Sequence, residues 1–323
     1  MKIFCSGLFL GGIINFFLFP PLNGVEIYLK EYQQNKSIET SSVLKTYSGD
    51  SKYYIKYHKV GQEIEFFSET GEKFWRMKSK EYPFLSYQGK LIFLLNGDQS
   101  RVRILNNQGQ EIGVKKIWGR LNTVISFSDK SNFGALGFLD GSYYIVNEKG
   151  EISFKGRAPL GKIIKSISIS SKGLWATVHF GDTKKDFLKI INLPQKEEHK
   201  VELSYCHPTQ TGLYISDTGQ TVILDKTKIS FFNHQGKPLF VIKILKQKSG
   251  QAFISNYQNL YAVSYPQEDS KAKLIVFKNN GEIILSKEFT KEPFLKTRFE
   301  KNSILLKGIN YTYNYSFHHL SSL

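Results

Sequence analysis

Sulfur is scarce in this sequence: two cysteines, Cys5 and Cys206, and two methionines stand among 323 residues. If the first stretch of the chain is removed, Cys206 remains alone and no internal disulfide can form, which excludes a disulfide-stapled scaffold. Proline is limited to nine residues, against 26 glycines, so tight turns rather than rigid corners punctuate the chain. Arginine is rarer still, at Arg76, Arg101, Arg103, Arg120, Arg157 and Arg298, within a Lys+Arg total of 44. Nucleic-acid readers lean on the planar guanidinium fork, so the net charge of +16 is read mainly as a lysine-coated soluble surface, and nucleic acid is not an expected partner. No zinc-binding helix motif or phosphate-cradling glycine loop occurs. Neither a cofactor nor a metal is expected.

Long apolar runs are also missing, except at the amino terminus. There Lys2 precedes an apolar run from Ile3 to Phe19, which Pro20 and Pro21 close. Seventeen residues at the helical rise reach only about 25 Å, short of a comfortable membrane span. Residues 1–24 therefore read as a signal peptide, with an uncleaved N-terminal anchor as the alternative. The expected location is periplasmic or secreted, or the inner membrane if the segment is retained.

What the sequence has in abundance is aromatic residues, 14% of the chain with 25 Phe and 18 Tyr, and these favour pleated, half-buried strands. It also has a repeat. An alternating strand runs into Asn-x-x-Gly and then a second strand, as in "RVRILNNQGQEIGVKKI", "YYIVNEKGEISFKG" and "ISFFNHQGKPLFVIKI", and "LIVFKNNGEIILSKEF" has the same form with Lys278 in the asparagine's place. The turn glycines Gly71, Gly109, Gly150, Gly236 and Gly281 are 38, 41, 86 and 45 apart, the long interval being a double period in which Leu193-Pro194 replaces the glycine. Polar turns at Gly89, Asn132, Gly173, Gly219, Asn259 and Asn302 repeat at 43, 41, 46, 40 and 43, and Asp98, Asp140, Asp182, Asp225 and Asp269 at 42, 42, 43 and 44. The bland role for those aspartates is to accept backbone N–H groups and fix a turn.

Four short strands with tight turns fill about 42 residues, the size of a propeller blade. The fold expected is all-β, a seven-bladed β-propeller spanning 25–323 as a single domain, with blades at 43–77, 83–117, 123–157, 164–206, 211–245 and 251–289. The seventh blade lacks an outer strand, and the alternating "VEIYLKEY" of 25–32 is the candidate to pair with 311–317 and close the ring. The "SETGEKFW" fragment, with Thr70, Gly71 and Trp75, resembles the repeat of the pyrroloquinoline-quinone-type propellers. The "SSKGLWATV" and "SDTGQTVIL" turns resemble those of WD-repeat-like propellers. The quinone-type resemblance would imply eight blades, a channel calcium and often adjacent cysteines; seven blades and no Cys-Cys argue against that enzyme class.

Chemistry is otherwise thin. The seven histidines look dispersed, and Cys206-His207 as strand neighbours would face opposite ways, leaving Cys206 a small buried residue at a strand end. The expectation is a non-enzyme, with the alternative of a lyase or hydrolase whose funnel site is assembled from several blades around His58, His179 or Tyr–Arg groups. Basic residues cluster where one blade's outer strand passes to the next blade's inner strand: Arg76, Lys78 and Lys80; Lys115, Lys116 and Arg120; Arg157 and Lys162; Lys246 and Lys248; Lys291 and Lys296. Interleaved Tyr82, Phe84, Trp118, Phe253 and Phe294 add contact surface. The expected partner is a protein or an anionic envelope polymer bound to this rim by a monomer, with membrane contact only through an uncleaved segment. The intact mass of protein taken from its native envelope tests the export reading. A mass that begins after residue 24 is expected, and one that begins at Met1 makes the segment an anchor.

Overall fold

A run in which apolar and polar residues alternate puts its apolar side chains on one strand face, and a glycine turn folds the next run back beside it. The computed structural model describes residues 26–33, 43–58, 62–113, 117–207, 211–225, 227–244, 252–267, 271–300, 303–309 and 311–318. Among these residues there is no helix; 28 strands form seven four-stranded antiparallel sheets.

The first strand, β1, is Glu26–Gln33. Five sheets follow in chain order, each with its strands in sequential order. The first sheet is β2 (Val43–Tyr47), β3 (Tyr53–His58), β4 (Glu63–Ser68) and β5 (Lys73–Lys78). The second is β6 (Tyr82–Leu85), β7 (Leu91–Leu95), β8 (Arg101–Asn106) and β9 (Ile117–Trp118). The third is β10 (Asn122–Phe127), β11 (Gly134–Phe138), β12 (Ser142–Val146) and β13 (Ile152–Arg157). The fourth is β14 (Ile163–Ile169), β15 (Trp175–Gly181), β16 (Asp186–Asn192) and β17 (Glu197–Glu202). The fifth is β18 (Leu213–Ile215), β19 (Thr221–Leu224), β20 (Lys228–Phe232) and β21 (Pro238–Lys243). These five make one compact unit, Ser37–Gln251.

A second compact unit joins the chain's first residues to Ala252–Leu323. It holds the sixth sheet, β22 (Phe253–Tyr257), β23 (Leu260–Pro266), β24 (Ala272–Lys278) and β25 (Ile283–Phe289). The seventh runs β26 (Lys296–Glu300), β27 (Ser303–Lys307), β28 (Tyr311–His318) and then β1, which lies antiparallel to β28 from Glu26 opposite His318 to Gln33 opposite Tyr311.

The turns are the ones the repeat predicts. The side-chain oxygens of Asn106, Asn147 and Asn233 each accept the backbone N–H groups two and four residues later, at 2.8–3.0 Å. The glycine that follows takes a left-handed backbone, φ +79° at Gly109, and a Cβ there would also press within 3.0 Å of the Trp75 ring. Trp75 in turn packs between the first two sheets and donates its indole N–H to the Asn107 carbonyl at 2.8 Å. In the hairpin without glycine, Lys196 supplies the left-handed residue at φ 57°. Three aspartates fix turns as expected. Asp98 and Asp140 accept the N–H and hydroxyl of Ser100 and Ser142, and Asp182 accepts two consecutive N–H groups at 2.7 and 2.8 Å. Asp269 lies outside the described residues.

The apolar cores sit between successive sheets. Ile55, Ile64 and Phe66 meet Ile92, Leu94 and Leu105 of the second sheet. Leu91, Phe93 and Ile104 meet Leu136, Phe138 and Val146 of the third. Tyr143 and Ile145 meet Val178, Phe180 and Ile191 of the fourth, and Leu188 and Ile190 meet Ile215, Ile223 and Phe232 of the fifth. Within the second unit Leu274 and Val276 meet Leu306, Tyr313 and Tyr315. Polar contacts bridge the same junctions: Ser86 donates to Asn132 at 2.9 Å, and the Lys172 N–H donates to Asp217 at 2.7 Å.

One expected limit is corrected. The fourth sheet ends at Glu202, not at 206, because the backbone of the next segment turns away to other partners. Removing residues 25–33 would leave β28 with an unpaired row of backbone donors and acceptors. The truncated protein is expected to melt several degrees below the parent in a calorimetric scan; an unchanged transition would show that β1 is not integral to the seventh sheet.

Candidate functional site

The connector from the fourth to the fifth sheet passes over a cluster of buried ionisable side chains. Lys165 on β14, His179 on β15 and Asp186 on β16 are within 5% of complete burial, as is His207 on the connector. In the pairing register, His179 sits opposite Leu188 and Asp186 opposite Gly181, which brings the imidazole and the carboxylate to the same end of adjacent strands. The absence of a side chain at Gly181 makes room: a Cβ there would overlap the Asp186 carboxylate.

The ionisable groups of Lys165, His179 and Asp186 each have partners. The Lys165 ammonium donates to Asp186 Oδ1 at 2.6 Å, to the Asp182 carbonyl at 3.0 Å and to the His207 carbonyl. Asp186 Oδ2 accepts from His179 Nε2 at 2.9 Å and from the His207 backbone N–H at 2.7 Å. His179 Nδ1 meets the Thr211 hydroxyl at 3.0 Å, and complete burial favours the neutral ring, with its proton on Nε2 toward Asp186. The Ser166 hydroxyl donates to the Thr211 carbonyl at 2.9 Å, and its oxygen accepts the Thr211 N–H at 3.1 Å. The His207 ring stands edge-on to His179 at 5.2 Å and to Tyr205 at 5.1 Å.

A hydroxyl, an imidazole and a carboxylate in a row have the makings of a nucleophilic triad. Their environment points elsewhere. The carboxylate is shared with an ammonium and a backbone amide, and the imidazole is completely buried. The arrangement fastens the incoming connector to the fourth sheet. Burial holds His179 below its ordinary 6.5, with the nearby Lys165 charge adding to this and Asp186 opposing it. Burial alone would raise Asp186, but the hydrogen bonds from His179, Lys165 and the His207 N–H together hold it below its ordinary 3.8. Among the described residues no group of His, Cys, Asp and Glu is arranged to hold a metal ion.

Two expectations about these residues are corrected. The histidines are not all dispersed, since His179 and His207 converge on one carboxylate. Cys206 is a half-buried free thiol in the connector, not a buried residue at a strand end. The side chain of His58 lies outside the described residues.

The rim residues fall where outer strands pass to inner strands. Arg76 and Lys78 lie on β5, Lys80 follows it, and Arg120 precedes β10. Arg157 ends β13 and Lys162 precedes β14. Lys78, Lys80 and Arg120 are exposed. Arg76 instead pairs with Glu63 across the ladder, Arg157 with Asp140 at 3.6 Å, and Lys162 with Asp182 at 2.8 Å. The hydrogen bond from Lys162 is the main reason that the Asp182 carboxyl is held well below the ordinary range. In the second unit Lys291 lies 5.1 Å over the Tyr311 ring, and Lys296 begins β26. Lys115, Lys116, Lys246 and Lys248 lie outside the described residues. Of the interleaved aromatics, Tyr82, Trp118 and Phe294 are exposed, whereas Phe84 packs against the core between the second and third sheets.

Replacing Lys165 by Met would leave the Asp186 charge buried beside a single neutral imidazole, and a loss of about 3–5 kcal/mol is expected in urea titrations. A loss below about 1 kcal/mol, typical of an exposed pair, would refute the fastening role. The pH dependence has a defined sign. Below its ordinary 6.5, His179 takes up a proton in the unfolded chain but not in the folded one, so stability falls as pH drops from 6.5 towards the depressed folded value. His179→Gln should remove this part of the slope, measured between pH 7.5 and 5.

Neither a family model nor a curated protein matches the chain in sequence. Solved structures do match in shape. A selenomethionine-substituted virginiamycin B lyase from Staphylococcus aureus aligns with a TM-score of 0.54 at 10% identity, over 90% of this chain and 99% of that one. A chain of the mitotic checkpoint complex aligns with a TM-score of 0.58 at 9% identity, over 89% of this chain and 90% of that one. With its four-stranded antiparallel sheets in series, the chain has a β-propeller fold.

Proposed function

We propose that the chain is an exported, non-catalytic propeller of seven blades, its ring closed by β1, and that it binds a protein or an anionic envelope polymer. The binding face is the rim where outer strands pass to inner strands. The observation that carries this reading is the exposure of Lys78, Lys80 and Arg120 at successive passages of this kind. Sequence order separates these passages by a full repeat, and a repeat fold returns each to an equivalent position. The positive field is weaker than a simple sum of the basic residues, because Asp140 and Asp182 lie in the turns at the same end of their sheets and hold Arg157 and Lys162. What remains unpaired by them is what meets the partner.

A second reading is a lyase or hydrolase acting on a polyanionic substrate. Virginiamycin B lyase is an enzyme of similar fold, but at 10% identity the likeness carries the fold alone. The buried His179 cluster gives it no support, since its groups serve the connector.

Charge reversal separates rim from bulk charge. Replacing Lys78, Lys80 and Arg120 by Glu is expected to weaken retention on immobilised heparin and to change stability by no more than about 0.5 kcal/mol. The matched control reverses Lys149, Lys172 and Lys237, exposed in turns at the opposite end of their sheets. The difference between the two sets should vanish towards about 1 M salt, where the screening length falls to roughly 3 Å. Equal loss from both sets would mean that net charge alone matters and the rim reading fails.

A further inference from the structure

Within the first compact unit the chain passes from one sheet to the next four times, and each passage holds a large apolar or aromatic side chain in solvent. These are Tyr82 after β5, Leu121 after β9, Leu160 after β13 and Tyr205 after β17. Trp118, the last residue of β9, is also exposed and carries the Arg101 guanidinium 5.7 Å from its ring. At the opposite end of these sheets first strands turn into second strands. The turns there at 86–90, 128–133 and 216–220 raise no such residue, and Tyr47 and Leu174 stand exposed at the other two.

The two leucines are held out by a backbone fixed from below. The Lys162 N–H donates to the Pro159 carbonyl at 3.1 Å and Gly161 takes a left-handed φ of +80°, so Leu160 is the first corner of a tight turn. Its side chain is fully exposed, while the Ala158 N–H anchors the base of the turn on the Gly141 carbonyl at 2.8 Å. Leu121 itself has φ 56°, a region that side chains other than glycine, asparagine and aspartate enter at a cost. The carbonyls of Leu121 and Arg120 both accept the Leu139 N–H, at 2.9 and 3.1 Å. A single exposed leucine is ordinary; recurrence at every passage is not.

Bases flank these residues. Lys80 comes just before Tyr82 and Arg120 just before Leu121, all four exposed. Past Leu160, Lys162 is held by Asp182, and the exposed Lys184 in the turn that contains Asp182 supplies the charge. Beside Tyr205, the Lys228 ammonium reaches the Ser204 hydroxyl at 2.7 Å. We propose that this rim docks on a bilayer surface carrying anionic phospholipid headgroups. The leucines and aromatic rings enter the acyl boundary, and the bases stay at the level of the phosphates. A soluble polyanion gains nothing from leucine, and a folded protein would need a matching hollow under each separate passage. A fluid lipid surface yields to every tip independently. The proposal rests on the reading of the rim as the binding face and names its ligand, and the contact does not need residues 1–24.

Co-sedimentation with vesicles of phosphatidylcholine and phosphatidylglycerol tests this, together with quenching of Trp118 by bromine on the acyl chains. Trp75 packs between sheets and Trp175 begins β15 at the opposite end, so Trp118→Phe should remove the quenched emission. The protein is expected to bind these vesicles with quenching and to bind phosphatidylcholine alone far more weakly. Leu160→Ser with Leu121→Asn, whose amide side chain suits a left-handed backbone, should weaken vesicle binding about tenfold. That variant should keep its heparin retention and melting temperature, and Leu174→Ser at the opposite end should change none of the three. Lys78, Lys80 and Arg120 replaced by Glu should weaken both vesicle binding and heparin retention. Vesicle binding without quenching, or binding that the leucine variant retains, would overturn the lipid proposal and leave the basic rim standing. Heparin retention lost on charge reversal with no vesicle binding would do the same and assign the rim to a polymer or a protein. Retention and vesicle binding both untouched by charge reversal would overturn the rim reading and this proposal with it.

Discussion

A four-stranded sheet of this size has two faces and no interior of its own, so each must lay an apolar face against a neighbour to become stable. That constraint organises the chain. The buried Phe, Ile, Leu and Val residues divide by strand parity, one set facing the preceding sheet and the other the following one. On β16, for example, Leu188 and Ile190 join the core toward the fifth sheet, whereas Phe187 and Ile191 join the core toward the third. A shift of one residue in any hairpin would exchange these two sets, and the asparagine and aspartate turns prevent that shift by locking the loop length. The turn residues thus matter for what they do to the packing several residues away.

Much of this was legible in the sequence because it depends on short-range signals repeated in phase. Alternation, Asn-x-x-Gly and the phased aspartates each concern residues within a few positions of one another, and the sheet limits follow to within a residue or two for the first three sheets. The Lys165–Asp186–His179 cluster was not legible. Its members are separated by up to 42 residues in their bonded pairs, and none of them forms a motif with its sequence neighbours. His207 enters through its backbone, which no reading of side-chain types reveals.

The charges illustrate the same limit. A tally of lysine and arginine along the chain treats every passage between sheets as equally positive. The folded sheets bring Glu63, Asp140 and Asp182 against three of those side chains, so the aspartates that fix the turns also trim the field at the rim. Local turn chemistry and long-range electrostatics are therefore carried by the same residues.

The junctions between sheets are chemically unlike one another although the sheets are alike. One is bridged by an indole on a carbonyl, the next by Ser86 on Asn132, a third by the ammonium of Lys165, which itself reaches the backbone of the connector beyond. Similar units strung on one chain face a hazard of their own: any of them presents a plausible docking face to any other, and a chain that pairs the wrong two buries hydrocarbon almost as well as the right one. Directional polar contacts that fit at a single junction act as addresses. A misdocked unit would strand an ammonium or an amide without its acceptor, and that penalty singles out one order of assembly among the many that hydrophobicity alone would accept.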